Sequence, residues 1–449
     1  MTDRTVARRT AIVVVAAALL AAPAVVLRVL CVGRACDRAA PAGAEVPFCS
    51  LDDELRRRLV AGYRDGRGPD VLAVTGPVPV VGSDGLRRTH LDPPWPSAAD
   101  PRRARVPIVF AGTGVRAGGS VPPGTGLDDV APTVAEIIGL DRPHPSVRSG
   151  RAVEDVARGP RPRLAVTVIW KGVDAADLRR SPRAWPVLRR LLADGAGTLA
   201  GDPGSLPLDP AALVATVGTG GLPSQHGITG TLLRNDRGRL VRAWGPGSPF
   251  SVIAALGDHL DRRFRQRPRI GVVGTDVTDR GAIGGTWYVG GDRDDVVIEP
   301  GGAAAQAAEA SGVLASGYGR DAMPDLLVVA MDDALPRMDA ALGRIVRDAG
   351  RASRGSAAVV LTSTGSSGPA RDAVPHGEVA RDVERRTEVG GLVEATAVGG
   401  LFIDEERLGR ASASQDEVLA AMRAARGPRG APLLADAFSG LAVSLARYC

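Results

Sequence analysis

Lysine is all but missing from this chain. Of its 56 basic residues only Lys171 is a lysine, and the rest are arginine. So strong a bias makes the one lysine informative wherever it lies. Aromatic residues are scarce too, at 3%, so a core must be assembled from Ala, Val, Leu and Ile. The net charge is +6, but acidic and basic residues are mixed along the chain, with no block of one sign and no aromatics interleaved with a basic stretch. That pattern excludes a dedicated nucleic-acid surface and reads as a solvated, arginine-rich exterior. The four cysteines are Cys31, Cys36, Cys49 and Cys449. No CxxC pair and no nearby histidine accompany them, which argues against a zinc cluster. In an exported chain an even number suggests disulfides, and four cysteines allow three pairings among which the residues alone do not choose.

Arg4, Arg8 and Arg9 precede an uncharged apolar run over residues 11–27, closed by Arg28. A basic flank before an apolar run near the ~20 residues needed to cross a bilayer is the pattern of a membrane anchor. The positive-inside rule then puts residues 1–10 in the cytoplasm and the remainder outside. The expectation is a single-pass anchor at 11–30, a juxtamembrane linker at 31–48 that is rich in Ala, Pro and Gly, and one domain over 49–449. Two alternatives stay open. Ala22, Pro23 and Ala24 offer a signal-peptidase site that would release a secreted protein. Arg8-Arg9 hints at a twin-arginine signal, although Thr10, Ala11 and Ile12 match it poorly. Cys31 is a poor lipidation site, because Leu30 before it is large.

Beyond Cys49 short apolar runs alternate with amphipathic stretches. Residues 70–75, 106–111, 164–170, 270–274, 325–331 and 357–362 read as strands, several of them apolar throughout. Residues 127–139, 184–195, 338–349 and 415–425 read as helices, the first with an acidic start and a Gly stop. This alternation implies an α/β fold, a mostly parallel sheet with helices on both faces. Lys171 then falls at the carboxyl end of the strand that starts at Leu164, which is where open α/β sheets build their sites.

Two blocks carry a resemblance. Residues 205–228 run from Ser205 through Thr219-Gly220 and Pro223 to His226-Gly227-Ile228. This block resembles the nucleophile helix of the alkaline phosphatase superfamily, especially its type I phosphodiesterase/nucleotide pyrophosphatase branch. Residues 66–74, Thr89-His90, the stretch 105–114 and Asp129 through Glu136 resemble that superfamily's C-terminal part. Residues 279–287 also resemble a family segment, in the expected place. The order of the two blocks is reversed: residues 49–157 match what normally comes last, and residues 163–449 what normally comes first. The resemblance therefore implies an alkaline-phosphatase-like fold that is circularly permuted, with new termini in a surface loop. The tail from Gly400 would lead into a turn matched here by Gly66 through Asp70. In the unpermuted order Cys49 and Cys449 would be neighbours, which implies a Cys49–Cys449 disulfide and leaves Cys31–Cys36 as the second pair.

The family's chemistry uses two zinc ions held by Asp and His around a Thr or Ser nucleophile. Carried over residue by residue, little of that set remains. The first metal-binding Asp is matched by Lys171, whose ammonium cannot ligate a cation. Asp174 and Asp177 follow it, and Asp174 reads as a helix N-cap. The nucleophile position, nine residues before Thr219, is Pro210, flanked by Asp209; Ser205 and Thr216 are the nearest hydroxyls and neither is in register. After the strand 325–331 only Asp332 and Asp333 offer carboxylates, and a solvated loop is their expected role. The late Asp-His pair is replaced by Thr364-Gly365. Only His90 matches a ligand position, and one histidine makes no zinc site. His226 resembles a structural histidine of the family, and His144, His259 and His376 read as surface or loop residues.

The resulting expectation is a membrane-anchored, extracytoplasmic pseudophosphatase without zinc. It would bind an anionic ligand or a cell-envelope partner at a remnant site around Lys171, Asp209, Pro210 and Thr364, with Lys171 either paired with Asp209, bound to an anion, or exposed. The alternative is an active phosphodiesterase or phosphatase with rewired zinc ligands.

Overall fold

Runs of Val, Ile and Leu bounded by Gly and Pro form the strands of one large sheet. The computed structural model describes residues 47–82, 93–98, 105–285, 287–288, 293–366, 373–427, 430–446 and 449. The anchor expected at 11–30, Cys31, Cys36 and His90 lie outside the described residues. Among the described residues no helix is long and apolar enough to cross a membrane. The chain divides into two units, Met1–Ser50 and Leu51–Cys449. Of the first, only the 3-10 turn Pro47–Ser50 is described. The second carries everything that follows.

Among the described residues its main sheet has eight strands. In spatial order they are Asp295–Ile298, Ile270–Gly274, Asp325–Met331, Leu164–Gly172, Ala357–Ser366, Val106–Gly112, Ala196–Gly201 and Gly119–Ser120. The first five run parallel. Val106–Gly112 is antiparallel to both of its neighbours. Leu164–Gly172 is buried at every position, as a strand with parallel neighbours on both sides and both faces covered must be. On one face the helices Ala303–Ala315 and Leu335–Ala352 bury Ala303, Ala307, Ala310, Met338, Leu342 and Ile345 against it. The spacing of these residues is the i, i+3, i+4, i+7 stripe of a helix facing a core. Elsewhere the helix Pro210–Thr219 is buried along its whole length and packs on the strand Ala357–Ser366, the helix Val130–Ile138 and the 3-10 helix Val277–Ala282.

A second, antiparallel sheet orders Val393–Ala397, Gly400–Ile403, Val71–Thr75 and Leu434–Ser439. Val71 stands opposite Leu401 on one side and Ser439 on the other, so an early strand is flanked by two late ones. Asp70 fastens the turn before it. Its Oδ2 accepts from Ile403 N at 2.8 Å, and its carbonyl accepts from Gly440 N at 3.0 Å.

The mostly parallel α/β architecture expected from the sequence is present. The differences are the antiparallel direction of Val106–Gly112, the separate antiparallel sheet that takes in Val71–Thr75, and the element ends. The expected helix 127–139 opens with the 3-10 turn Leu127–Asp129 before Val130–Ile138, and Gly139 closes it at φ 71°. The expected strand 357–362 continues to Ser366, and the helix at 338–349 extends over Leu335–Ala352. Cys49 and Cys449 are both disulfide-bonded.

Candidate functional site at the carboxyl edge of the sheet

The strand Leu164–Gly172 delivers Lys171 to the carboxyl edge of the sheet, where Gly172 takes φ 72° and turns the chain away. Lys171 is fully buried. An ammonium in such a place requires a counter-charge and hydrogen-bond acceptors, and both come from the segment after the strand Ile270–Gly274. Nζ lies 2.6 Å from Asp279 Oδ1, and it donates to Asp279 Oδ2 at 2.7 Å and to Thr275 Oγ1 at 2.6 Å. Asp279 belongs to the 3-10 helix Val277–Ala282. Its Oδ2 also accepts from the backbone N–H groups of Thr275, at 2.8 Å, and Asp276, at 3.2 Å. The strand Asp325–Met331 lies between the two parent strands, so the lysine side chain spans its end and ties the loop of one strand to the next strand but one.

This corrects two expectations. Lys171 does not pair with Asp209, and it is not exposed. Asp209 is the N-cap of the helix Pro210–Thr219, where its Oδ1 accepts from Ala211 N at 2.9 Å and Thr231 Oγ1 at 3.0 Å. Burial pushes its carboxyl above the ordinary value, while the bonds to Thr231, Ala211 and Ala212 pull the other way. Pro210 sits in the first turn, where its missing N–H leaves no vacancy in the helix ladder. Thr364, the fourth remnant residue, is also buried, and its Oγ1 accepts from Gly172 N at 3.3 Å. It joins the ends of two adjacent strands.

Other sequence expectations resolve as follows. Asp174 caps the helix Ala175–Arg180 in a reciprocal box with Asp177. Burial, with the Asp177 charge beside it, pushes the Asp174 carboxyl up to about 6. His226 is structural. Its Nδ1 accepts from Ile228 N at 3.1 Å, so Nε2 carries the proton and donates to Thr216 Oγ1 at 3.1 Å, and burial pulls its pKa down to about 3. Asp333 is more than a solvated loop residue: it accepts from Ala303 N at 3.2 Å and from Arg337 Nε at 2.6 Å, linking two helices. His144 is exposed in a loop, as expected, and His376 is half-buried beside Thr396. His259 departs from expectation. It is buried in the helix Leu256–Phe264 between two arginines.

A cleft of ≈300 Å³ borders this edge, lined by Asp209, Pro210, Thr231, Arg242, Asp276 and Thr278 among others. Asp276 and Thr278 face it from the loop whose Thr275 and Asp279 hold Lys171. Arg242 pairs with Asp276 at 2.6 Å. Burial alone would raise the Asp276 carboxyl, but the Arg242 guanidinium and the Thr278 bond hold it below its ordinary value.

Among the described residues no three His, Cys, Asp or Glu side chains gather into a group able to hold a metal ion. The donor set at this edge does not fit a zinc pair. One expected ligand position carries a buried ammonium already bound to the nearest carboxylate, and the position expected for the nucleophile carries a proline ring. Asp279 and Thr275, the partners that define the site, were not given a role from sequence. The available signal was an Asp three residues after Asp276, in a capping box that follows a buried strand.

No protein-family model matches the chain, and no curated protein matches it. Solved structures similar to it include the wild-type alkaline phosphatase PafA, at 12% identity and a TM-score of 0.44, covering 59% of this chain and 76% of that one. A variant of the same phosphatase gives 12% identity and a TM-score of 0.42 over the same shares. Phosphonoacetate hydrolase from Sinorhizobium meliloti 1021 gives 17% identity and a TM-score of 0.32, covering 47% of this chain and 58% of that one.

Proposed function

We propose that this chain is a circularly permuted, catalytically inactive form of the alkaline-phosphatase-like fold, a pseudophosphatase that acts by binding. The observation that carries the reading is the buried Lys171–Asp279 pair at 2.6 Å. In the matching position of the family a carboxylate holds a metal. Here a fixed ammonium supplies positive charge in place of the cation, and Asp279 neutralises it. A cation brought to the same position would have to displace that ammonium from Asp279 and leave it buried without a counter-charge. Pro210 offers no hydroxyl, and Thr364 is occupied in joining two strands.

The permuted order is supported by the second sheet. Val71–Thr75 lies between Gly400–Ile403 and Leu434–Ser439, as it would if residues 400–449 had once run directly into residues 50–75. The ligand would be an anionic group or a cell-envelope partner taken up at the ≈300 Å³ cleft beside Asp209 and Arg242. The apolar run at 11–27 would hold the protein in the membrane with its main domain outside the cytoplasm.

The test is the zinc content of the purified full-length chain together with its turnover of a generic phosphodiester. We expect far less than one zinc per chain and no hydrolysis above background. Stoichiometric zinc with hydrolysis abolished by a chelator would overturn the proposal in favour of a rewired active site.

A further inference from the structure

The helix Pro210–Thr219 has Asp209 at one end. At the other end lies a cluster of buried hydrogen-bond donors with too few acceptors. Arg142 closes the helix: its Nη2 donates to Thr219 O at 2.8 Å and to Ala254 O at 3.2 Å, and its Nε donates to His259 Nδ1 at 2.9 Å. Arg148 donates from Nη1 to Pro143 O at 3.1 Å and to His144 O at 3.2 Å, and its Nη2 lies 3.3 Å from His259 Nε2.

The inventory does not balance. A guanidinium has donors only, and a neutral imidazole has one donor and one acceptor. Nδ1 of His259 is the acceptor, because Arg142 Nε donates to it. The ring proton is therefore on Nε2, and Arg148 Nη2 meets it donor to donor. Burial, reinforced by Arg142 and Arg148, holds the imidazole far below its ordinary pKa, so protonating the ring offers no relief. Arg142 Nη1 and Arg148 Nε are also buried and make no hydrogen bond. Arg148 is 5% and His259 3% exposed. Buried donors without acceptors are rare in folded proteins and call for an explanation.

Charge points the same way. Burial and the neighbouring Arg148 both disfavour the charged form of Arg142, while Asp258 favours it. The Asp258 oxygens accept from the N–H groups of Ala255, at 2.7 Å, Gly285, at 2.8 Å, and Trp287, at 3.3 Å. Arg142 and Arg148 also line a pocket of ≈230 Å³, with the exposed Arg151 at its rim and the exposed Glu136 and Asp141 as its acidic members. Water could occupy part of that space, but the carboxylate that favours the charged form of Arg142, Asp258, is already shared among three backbone N–H groups.

We infer that Arg142 and Arg148 form a binding site for a tetrahedral oxyanion, either inorganic phosphate or the phosphomonoester end of a larger molecule. Guanidinium forks match such an anion by shape and by charge. Seated in the pocket, the anion accepts from the guanidiniums of Arg142 and Arg148, whose Nη1 and Nε, respectively, lack acceptors. Ten helical residues separate this site from Asp209, or roughly 15 Å, so it is distinct from the cleft at the sheet edge.

The test is calorimetric titration of the full-length chain with inorganic phosphate and, separately, glycerol phosphate, against chloride at equal ionic strength. The expected result is saturable phosphate binding that weakens at least tenfold in Arg148→Gln and is unchanged in Arg183→Gln, at an exposed arginine that lines neither the pocket nor the cleft. Arg148→Lys keeps the charge and loses the Nε donor, so it should bind more weakly than the parent even if Arg148→Gln fails to fold. A response no greater than that to chloride, binding weakened as much in Arg183→Gln, or Arg148→Lys binding as tightly as the parent would each overturn the assignment.

Discussion

At the scale of the residue, Lys171 and Asp279 are meaningful only as a pair. Their side chains are each 1% exposed. Two charges withdrawn from water lose hydration worth several kcal/mol each, which their mutual attraction and added hydrogen bonds must offset. Removing one partner leaves the other buried and uncompensated. Lys171→Met and Asp279→Leu should therefore each destabilise the fold by about 3–5 kcal/mol, the range for broken buried pairs. The double variant should recover most of that loss in denaturant unfolding, and a double variant as unstable as the singles would show that the pair does not act as a unit. The sequence made Lys171 conspicuous by composition and placed it correctly on its strand. It did not disclose Asp279, because the partner is chosen by how a loop turns over the end of an intervening strand, a relation with no local signature. His259 was missed for a related reason: its burial depends on Arg142 and Arg148, more than a hundred residues away.

At the scale of the element, the helix Pro210–Thr219 illustrates what local chemistry reveals. Asp209 followed by Pro210 is a recognisable start, and Gly220, at φ 75°, a recognisable stop. Asp209→Ala should destabilise by about 1–2 kcal/mol, the upper part of the N-cap range, since Thr231 loses its acceptor as well. Asp209→Asn keeps a capping oxygen and should behave differently with pH. The Asp209 carboxyl has a raised value in the fold, so the native state holds its proton more tightly than the unfolded chain does. Its burial is least costly below the ordinary value of 3.8, and stability is lost as pH rises from there through the folded value. Asp209→Asn lacks that loss, so its stability relative to the parent should improve as pH climbs through the window. Thermal unfolding across acid pH reads the sign directly, and a trend in the opposite direction would remove burial as the dominant influence on Asp209. Element ends were less legible than element centres. Pro336 and Ala334 extend one helix upstream of its apolar stripe, and Leu127–Asp129 adopts a tighter turn before the following helix begins.

At the scale of the molecule, the order of segments is the largest inference from sequence, and covalent chemistry offers an independent check on it. Non-reducing peptide mapping should recover Cys49 joined to Cys449, both of which are disulfide-bonded. Reduction should lower stability by about 2–5 kcal/mol, the usual range for a native disulfide. Recovery of Cys49 linked to Cys31 or Cys36 would remove this support for a permuted chain. Five adjacent strands of the sheet were legible because they are largely apolar and alternate with helices, whereas Asp295–Ile298, Ala196–Gly201 and Gly119–Ser120 are short, exposed or Gly-containing and gave no such signal. The antiparallel pairing of Val106–Gly112 was not legible, since strand direction leaves no trace in an apolar run.

Val71–Thr75 carries one more consequence. Both of its neighbours, Gly400–Ile403 and Leu434–Ser439, are made at least 325 residues after it. During synthesis this short apolar strand waits, both edges open, until residues 400–439 have followed it. Loop closure over such a separation is slow, and an exposed strand edge invites pairing with other chains. The order of pairing defers the completion of this sheet to residues 400–439, so the interval open to misassembly lasts until those residues are made.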